Sequence, residues 1–260
     1  LFKKAKKTAK GQELAMLNLS KKIAEYIEEN NSLINEAVEL IFVEEEAEKN
    51  ELYKAIEKHG EVIEFPLLKL PGLIENVQKI CAAYKVKIDN STAKYFIESC
   101  GTNMQDLINE IRKLIEYVGA NGTITKKEVD LLSIKQIDSV IFDLTDNLGK
   151  RDTRKAMEVL NNLIYEKEPI QKILITLYNH FKKLYIVKEA SKTGKDLAGA
   201  MKLKPNQMFL TNKYRMQAGY FSEEEIENIL EEFINLDANY KVGLIDINVG
   251  LEAILCRYCS

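Results

Sequence analysis

Two cysteines near the end of the chain, Cys256 and Cys259, have the spacing of a metal-binding or redox-active pair. A structural zinc site takes four sulfur or imidazole ligands, and this pair supplies two. The sequence has no second pair of this kind, and its two histidines, His59 and His180, are remote from it. We therefore predict no metal site and interpret Cys256 as a continuation of the apolar helical stripe before it.

A phosphate-binding loop needs a glycine-rich turn followed by a lysine and a hydroxyl group. The nearest match, Thr193-Gly194-Lys195-Asp196, lacks the upstream glycine and has a carboxylate where the hydroxyl belongs. We interpret it as a surface turn and predict no nucleotide or other cofactor. The acidic runs Glu44–Glu46 and Glu223–Glu225 are typical of solvated segments and helix starts. No serine-nucleophile elbow or zinc-protease motif occurs, so the sequence offers no catalytic residue.

Three lysine-containing segments are candidates for contact with nucleic-acid phosphates. The lysines from Lys3 to Lys10 are interpreted as a solvated segment. Lys213-Tyr214-Arg215 combines two cations with a ring that could stack on a base, although Tyr214 could equally belong to the core. Lys241 could contact DNA or complement the dipole at a helix end. The candidate DNA-contacting residues are therefore Lys213, Tyr214, Arg215 and Lys241.

The composition is that of a globular chain with a core: 260 residues, 46% hydrophobic and 30% charged. The 37 Lys and Arg residues nearly balance the 40 Asp and Glu residues, so a net charge of −3 provides no general attraction to nucleic acid or membranes. The four cysteines are too few for a disulfide framework. With no apolar run of bilayer length and no signal sequence, we expect a cytoplasmic protein without membrane contact.

The residues before Pro66 predict part of an α/β layer. Residues 14–29 and 47–58 have helical periodicity, whereas Leu40–Val43 and Glu61–Phe65 have the composition of short strands. Pro66 ends the second strand, and we place a domain boundary there.

From Pro66 onward the spacing of apolar residues is helical, so the fold class is mainly α. Residues 72–132 predict a small helical domain with Gly101 and Gly119 as helix ends, and helices at 152–165, 169–190, 206–218 and 223–241 predict a second helical unit from about residue 136. Capping boxes are expected at Thr125 with Glu128 and at Ser222 with Glu225. The connection Leu131–Gln136 is a hinge candidate, or equally a packed junction, because it has no Gly or Pro.

The order and spacing of several segments resemble the delta-subunit family of bacterial DNA polymerase III, over nearly the whole chain. The segments that carry the resemblance are Leu40–Val43, Leu52–Lys54, Glu61–Phe65, Glu110–Leu114, Val140–Asp143 with Asp146, Ile173-Leu174, Phe181–Tyr185, Met216–Ala218 with Phe221-Ser222, Leu236-Asp237 ahead of Lys241, and Leu251-Glu252.

The resemblance implies three domains: a partial AAA+-like α/β domain at 1–66, a helical lid at 67–135 and a helical collar for oligomerisation at 136–260. It implies a non-catalytic component of the clamp loader, which opens the sliding clamp and loads it onto primed DNA during replication. The collar would join the ATP-hydrolysing loader subunits and delta prime. The contact with the sliding clamp would lie on an element expected before Leu1, so an N-terminally truncated chain is expected, and Leu1-Phe2 is not assigned to that contact.

Two other functions remain open from the sequence. One is an ATP-hydrolysing clamp-loader subunit whose catalytic loop precedes Leu1, and the other is a stand-alone helical adaptor. Whether the chain counts as part of an enzyme is left open, because the family belongs to a nucleotidyltransferase holoenzyme, the DNA-directed DNA polymerase, while this chain shows no catalytic site.

Overall fold

The computed structural model describes residues 10–44, 47–194 and 196–258. The chain divides into two compact units, Leu1–Pro66 and Leu67–Ser260, and each is described by itself. The sequence interpretations of Leu1-Phe2, Lys3–Lys7, Glu45-Glu46, Lys195 and Cys259 lie outside the described residues.

The first unit contains two helices, α1 (Lys10–Ala37) and α2 (Glu51–His59). Helix α2 begins where the Asn50 side chain accepts a hydrogen bond from the Tyr53 amide at 3.0 Å, which satisfies one unpaired donor of the first turn. The two helices share a small core of Ala24, Ile27, Leu52 and Ala55.

The two strands predicted for this unit, Leu40–Val43 and Glu61–Phe65, are wrong: among the described residues from 38 to 66, none is in a strand. A strand exists only as part of a hydrogen-bonded ladder, and the backbone hydrogen bonds of the described residues give neither segment a neighbouring strand. Their side chains are largely exposed, with Val43 and Phe65 both 87% accessible. Strand propensity describes fit to a sheet surface, so it does not produce a strand without that sheet.

In the second unit, a middle cluster is formed by four helices and two very short strands. The elements are α3 (Leu70–Ala83), β1 (Lys87–Ile88), α4 (Asn90–Cys100), α5 (Met104–Val118), β2 (Thr123–Ile124) and α6 (Lys126–Leu132). The strands pair in parallel, with Lys87 opposite Thr123 and Ile88 opposite Ile124. The apolar faces of the helices meet in one core, which includes Val77, Phe96, Ile97, Leu107, Ile111, Leu114 and Val129.

A C-terminal cluster follows, built from helices around the long central helix α9. Its elements are α7 (Ile137–Gly149), α8 (Thr153–Tyr165), α9 (Ile170–Thr193), α10 (Leu197–Ala200), a 3₁₀ turn (Pro205–Leu210), α11 (Thr211–Ala218), α12 (Glu223–Lys241) and α13 (Ile247–Tyr258). The helix predicted at 206–218 is therefore a 3₁₀ turn followed by α11. The core is separate from that of the middle cluster and contains Phe181 packed edge-on against Phe221 and Phe233.

The predicted helix ends are confirmed. Thr125 with Glu128 and Ser222 with Glu225 form capping boxes at the starts of α6 and α12. Gly101 and Gly119 follow α4 and α5 with φ angles of 89° and 69°, which favour glycine.

No described helix is long and apolar enough to cross a membrane. Cys256, which the sequence placed on the apolar stripe, is exposed on α13, whereas Leu251, Ile254 and Leu255 are buried. The stripe therefore ends one residue earlier than predicted.

Candidate nucleic-acid contact region

Helix α11 carries three of the four predicted DNA-contacting residues, and it is held firmly by a buried polar network. Gln217, 2% exposed, donates from Nε2 to the Phe142 carbonyl at 2.8 Å and to Asp146 Oδ1 at 2.6 Å. Its Oε1 lies 2.7 Å from His180 Nε2. Because an amide oxygen only accepts, the imidazole must carry its proton on Nε2. Gln217 therefore ties α11 to both α7 and α9.

Burial keeps this imidazole neutral. His180 is 4% exposed and packs edge-on against Phe142 with ring centroids 4.6 Å apart. Loss of hydration lowers its pKa to about 3, against the opposing effect of the Gln217 hydrogen bond. A group that is neutral and fully engaged in a hydrogen bond is a structural element of the core, and it offers no acid–base catalysis near neutral pH.

Tyr214 lies in the core, which is the second of the two alternatives that the sequence left open. It is 2% exposed and packs against Phe142 and His180, with centroid distances of 4.7 and 5.1 Å. Its hydroxyl accepts a hydrogen bond from Lys183 Nζ at 3.1 Å, and burial raises the pKa of the phenol. In this arrangement the ring has no free face on which a base could stack.

The three predicted cations differ in their environment. Lys213 Nζ is 2.8 Å from Glu98 Oε2, and Lys241 Nζ is 2.6 Å from Asp237 Oδ2 one helical turn away. Arg215 is exposed, and the described residues give it no ion pair. Lys213 and Tyr214 both contact the ring of Phe142, whereas no contact among the described residues connects Lys241 to them. Arg215 is therefore the predicted cation most available to an external phosphate.

The sequence analysis missed a concentration of positive charge around these residues. Residues 182–215, the basic region, contain nine Lys and Arg but only two acidic residues, Glu189 and Asp196. Because the whole chain has a net charge of −3, the residues outside this region carry an excess of acidic side chains. A count of net charge over a moving window of the sequence would therefore have found the region. Among the described residues, no ion pair neutralises Lys182, Lys188, Lys202 or Lys204, whereas Lys192 pairs with Glu189 and Glu223 at 2.9 and 2.5 Å.

The described residues contain no group of three or more His, Cys, Asp or Glu side chains that could hold a metal ion. The C-terminal cluster presents a helical framework with lysines on α9 and on the segment between α10 and the 3₁₀ turn, and an exposed arginine on α11. The fold is that of a mainly helical protein.

Comparison with known proteins shows a similarity to one family. Residues 138–258 match the family described as DNA polymerase III delta subunit, C-terminal domain. The DNA polymerase III subunit delta of Bacillus subtilis (strain 168) is 25% identical over 213 residues, which cover 81% of this chain and 60% of that protein. The probable DNA polymerase III subunit delta of Aquifex aeolicus (strain VF5) is 27% identical over 202 residues, covering 76% and 57%.

A solved structure has the same fold. The Bacillus subtilis DNA clamp loader delta protein superposes with a TM-score of 0.66 at 24% identity, covering 82% of this chain and 62% of that one. Residues 138–258 are thus similar to the DNA polymerase III delta-subunit family, and the resemblance found in the sequence is confirmed. It spans about 60% of the length of the relatives it matches.

Proposed function

We propose that the chain is a non-catalytic component of a bacterial clamp loader, which opens the sliding clamp and loads it onto primed DNA. The observation that carries the proposal is the match of residues 138–258 to the delta C-terminal domain. The separate cores of the middle and C-terminal clusters support a division into a lid at 67–135 and a collar at 136–260. Replication takes place on the bacterial chromosome, so the proposal includes a cytoplasmic location.

The proposed collar has an apolar surface suited to assembly with other loader subunits. Ile234, Ala238 and Val242 follow one another at four-residue intervals, so they share one side of α12 and its end. All three are exposed, Ile234 by 55% and Val242 by 69%. Exposed apolar stripes of this kind are typical of protein interfaces. We propose this stripe as the contact with the ATP-hydrolysing subunits and delta prime.

The assembly proposal is tested by size-exclusion chromatography of the chain mixed with the cognate ATP-hydrolysing subunit and delta prime. We expect one shared peak, and we expect Ile234→Glu to reduce it because a carboxylate would be buried in the contact. Leu131→Glu is the matched control, since Leu131 is 61% exposed on α6 of the middle cluster. Separate elution of the folded wild-type chain would contradict the clamp-loader proposal and favour a stand-alone adaptor.

We further propose that the basic region contacts primed DNA within the assembled loader. Removing one phosphate contact should weaken DNA binding and lower the slope of log K against log salt by about 1. We expect this for Arg215→Ala and for Lys204→Ala. Lys79→Ala is the matched control, because that lysine already pairs with Glu75 at 2.7 Å on α3. Equal salt slopes for all three variants would refute a role of the basic region.

The contact with the sliding clamp stays a prediction.

A further inference from the structure

The middle and C-terminal clusters meet at a joint where α4 packs against α7 and α3 against the 3₁₀ turn, and two polar side-chain contacts cross it. Lys213 Nζ of α11 lies 2.8 Å from Glu98 Oε2 of α4. Asn206 Nδ2, from the 3₁₀ turn, donates to Thr102 Oγ1 at 2.9 Å. Each contact joins one residue of the middle cluster to one residue of the C-terminal cluster, and we call the two contacts together the latch.

The latch is of a kind that water can replace. The side chain of Lys213 is 36% exposed, so solvent reaches the ion pair with Glu98 and weakens it. Asn206 is 7% exposed, and its Oδ1 has no hydrogen-bond partner among the described residues. The closed joint therefore leaves this acceptor without a hydrogen bond, and opening the joint would expose it to water. Because each cluster has its own apolar core, neither core has to be broken when the latch is released.

The linker between the clusters, residues 133–136, is fastened to the middle cluster. The Ile134 amide donates to Glu110 Oε2 at 2.9 Å, and Lys135 Nζ lies 2.9 Å from Asp130 Oδ1. The Gln136 amide donates to the Ser99 carbonyl at 2.9 Å.

The side chain of Gln136 is also packed against the middle cluster. A Cβ added to Gly101 would lie 2.2 Å from Gln136 Oε1, so the two residues are in close contact. The Gln136 carbonyl accepts from the Ser139 and Val140 amides of α7 at 2.9 and 3.2 Å, so the peptide unit after Gln136 moves with α7. Rotation within Gln136, about its Cα–C bond, leaves both sets of contacts intact. This places the pivot at the end of the predicted hinge Leu131–Gln136, where α7 begins.

We propose that the joint is a releasable latch: the Glu98–Lys213 ion pair and the Thr102–Asn206 hydrogen bond hold the middle cluster in one orientation, and their release lets it turn about Gln136. The inference concerns the chain itself and does not depend on the proposed role in a clamp loader. Any partner that supplies a competing anion to Lys213 would favour the open orientation, because the ion pair is accessible from solvent.

The test measures the distance between the two clusters by electron–electron double resonance in the full chain. Spin labels are placed at Tyr117→Cys on α5 and at Asn161→Cys on α8, both exposed positions. Cys256 and Cys259 are changed to Ser, and the buried Cys81 and Cys100 remain unlabelled. The latch is broken by combining Glu98→Lys with Asn206→Ala. The matched control is Glu75→Lys, which breaks the ion pair to Lys79 within α3.

We expect a single narrow distance in the wild type and the control, and a distribution about twofold wider, or a second peak, in the latch variant. The charge exchange Glu98→Lys with Lys213→Glu should restore the narrow distance. An unchanged distribution in a latch variant with wild-type circular dichroism would overturn the proposal, as would a wide distribution in the wild type that no variant changes.

If the latch variant loses its helical signal, Glu98→Gln is measured from about 0.05 to about 1 M NaCl beside the wild type. We then expect the wild-type distribution to widen with salt and that of Glu98→Gln to be wide throughout. Salt-independent, narrow distributions in both proteins would overturn the latch.

Discussion

The buried network around Gln217 should be a main determinant of the stability of the C-terminal cluster, and Gln217→Leu tests this. The substitution keeps the approximate size of the side chain but removes all three hydrogen bonds, to His180, Asp146 and the Phe142 carbonyl. The His180 N–H would then be buried without an acceptor, at a cost of about 1–3 kcal/mol, and a bond to a carboxylate would be lost as well. We expect a total destabilisation of about 2–4 kcal/mol, less if the leucine packs well.

Urea denaturation followed by circular dichroism measures this change. The matched control is Gln171→Leu on α9, because Gln171 is exposed and donates to the Tyr240 hydroxyl at 2.8 Å. A surface substitution of this kind should change the free energy of unfolding by about 0.5 kcal/mol or less. Equal denaturation midpoints for the two variants would show that the network does not stabilise the cluster.

The same network also sets a pH dependence, and its sign follows from the pKa of His180. Burial lowers that pKa to about 3 in the folded chain, whereas an unfolded histidine titrates near 6.5. Between these values the unfolded chain binds one more proton than the folded chain, so stability is complete above the unfolded pKa and decreases as the pH falls below it. The slope from this group approaches about 1.4 kcal/mol per pH unit.

His180→Gln isolates this contribution, because the amide can still donate to Gln217 but does not titrate. We expect the free energy of unfolding of this variant to fall less steeply between about pH 6.5 and about pH 5 than that of the wild type, since carboxylates contribute equally to both proteins. Parallel pH profiles would contradict the assignment of a buried neutral imidazole.

Two further predictions concern packing and reactivity. Gly250→Ala should destabilise the chain by about 1–3 kcal/mol, because the new Cβ would lie 2.2 Å from a methyl group of Leu236 on α12. Gly72→Ala on α3 should be neutral or stabilising, because the nearest atom to its new Cβ is 3.4 Å away. Thermal unfolding of both variants checks this prediction. Cys81 and Cys100 should resist alkylation near pH 7.5 while Cys256 reacts, because burial raises the pKa of the first two thiols to about 11 and about 12. Peptide mapping after brief treatment with iodoacetamide measures this, and rapid labelling of either buried thiol in the folded chain would contradict it.

The parts of the fold that could be predicted from the sequence are those with local causes. The capping box at Thr125 depends on a residue three positions away, and the end of α4 at Gly101 depends on the backbone freedom of one residue. Helical periodicity is local in the same sense, which is why α12 was predicted at 223–241 and is found at Glu223–Lys241.

The features that the sequence did not reveal have the opposite property, because they depend on residues distant in the sequence. Leu40–Val43 has the composition of a strand, yet strand formation requires a partner that no local pattern reveals. Tyr214 lies between two cations and was a candidate for base stacking, but its partners in the core, Phe142 and His180, come from α7 and α9. The network of Gln217 likewise joins three helices, and a single glutamine in a sequence carries no signal of it.

The distribution of apolar and polar contacts also indicates where the chain can change shape. Apolar burial is concentrated within each cluster, where removing a side chain such as Phe96 or Phe181 would leave a cavity and cost several kcal/mol, on the order of 3–5. The contacts identified at the joint, Glu98 with Lys213 and Thr102 with Asn206, are ones that water can replace. A change of orientation at Gln136 therefore costs far less than a change inside either cluster. The proposed function requires this difference, since one domain would change position while the proposed assembly stripe on α12 stays intact, and the joint and that stripe lie on different elements.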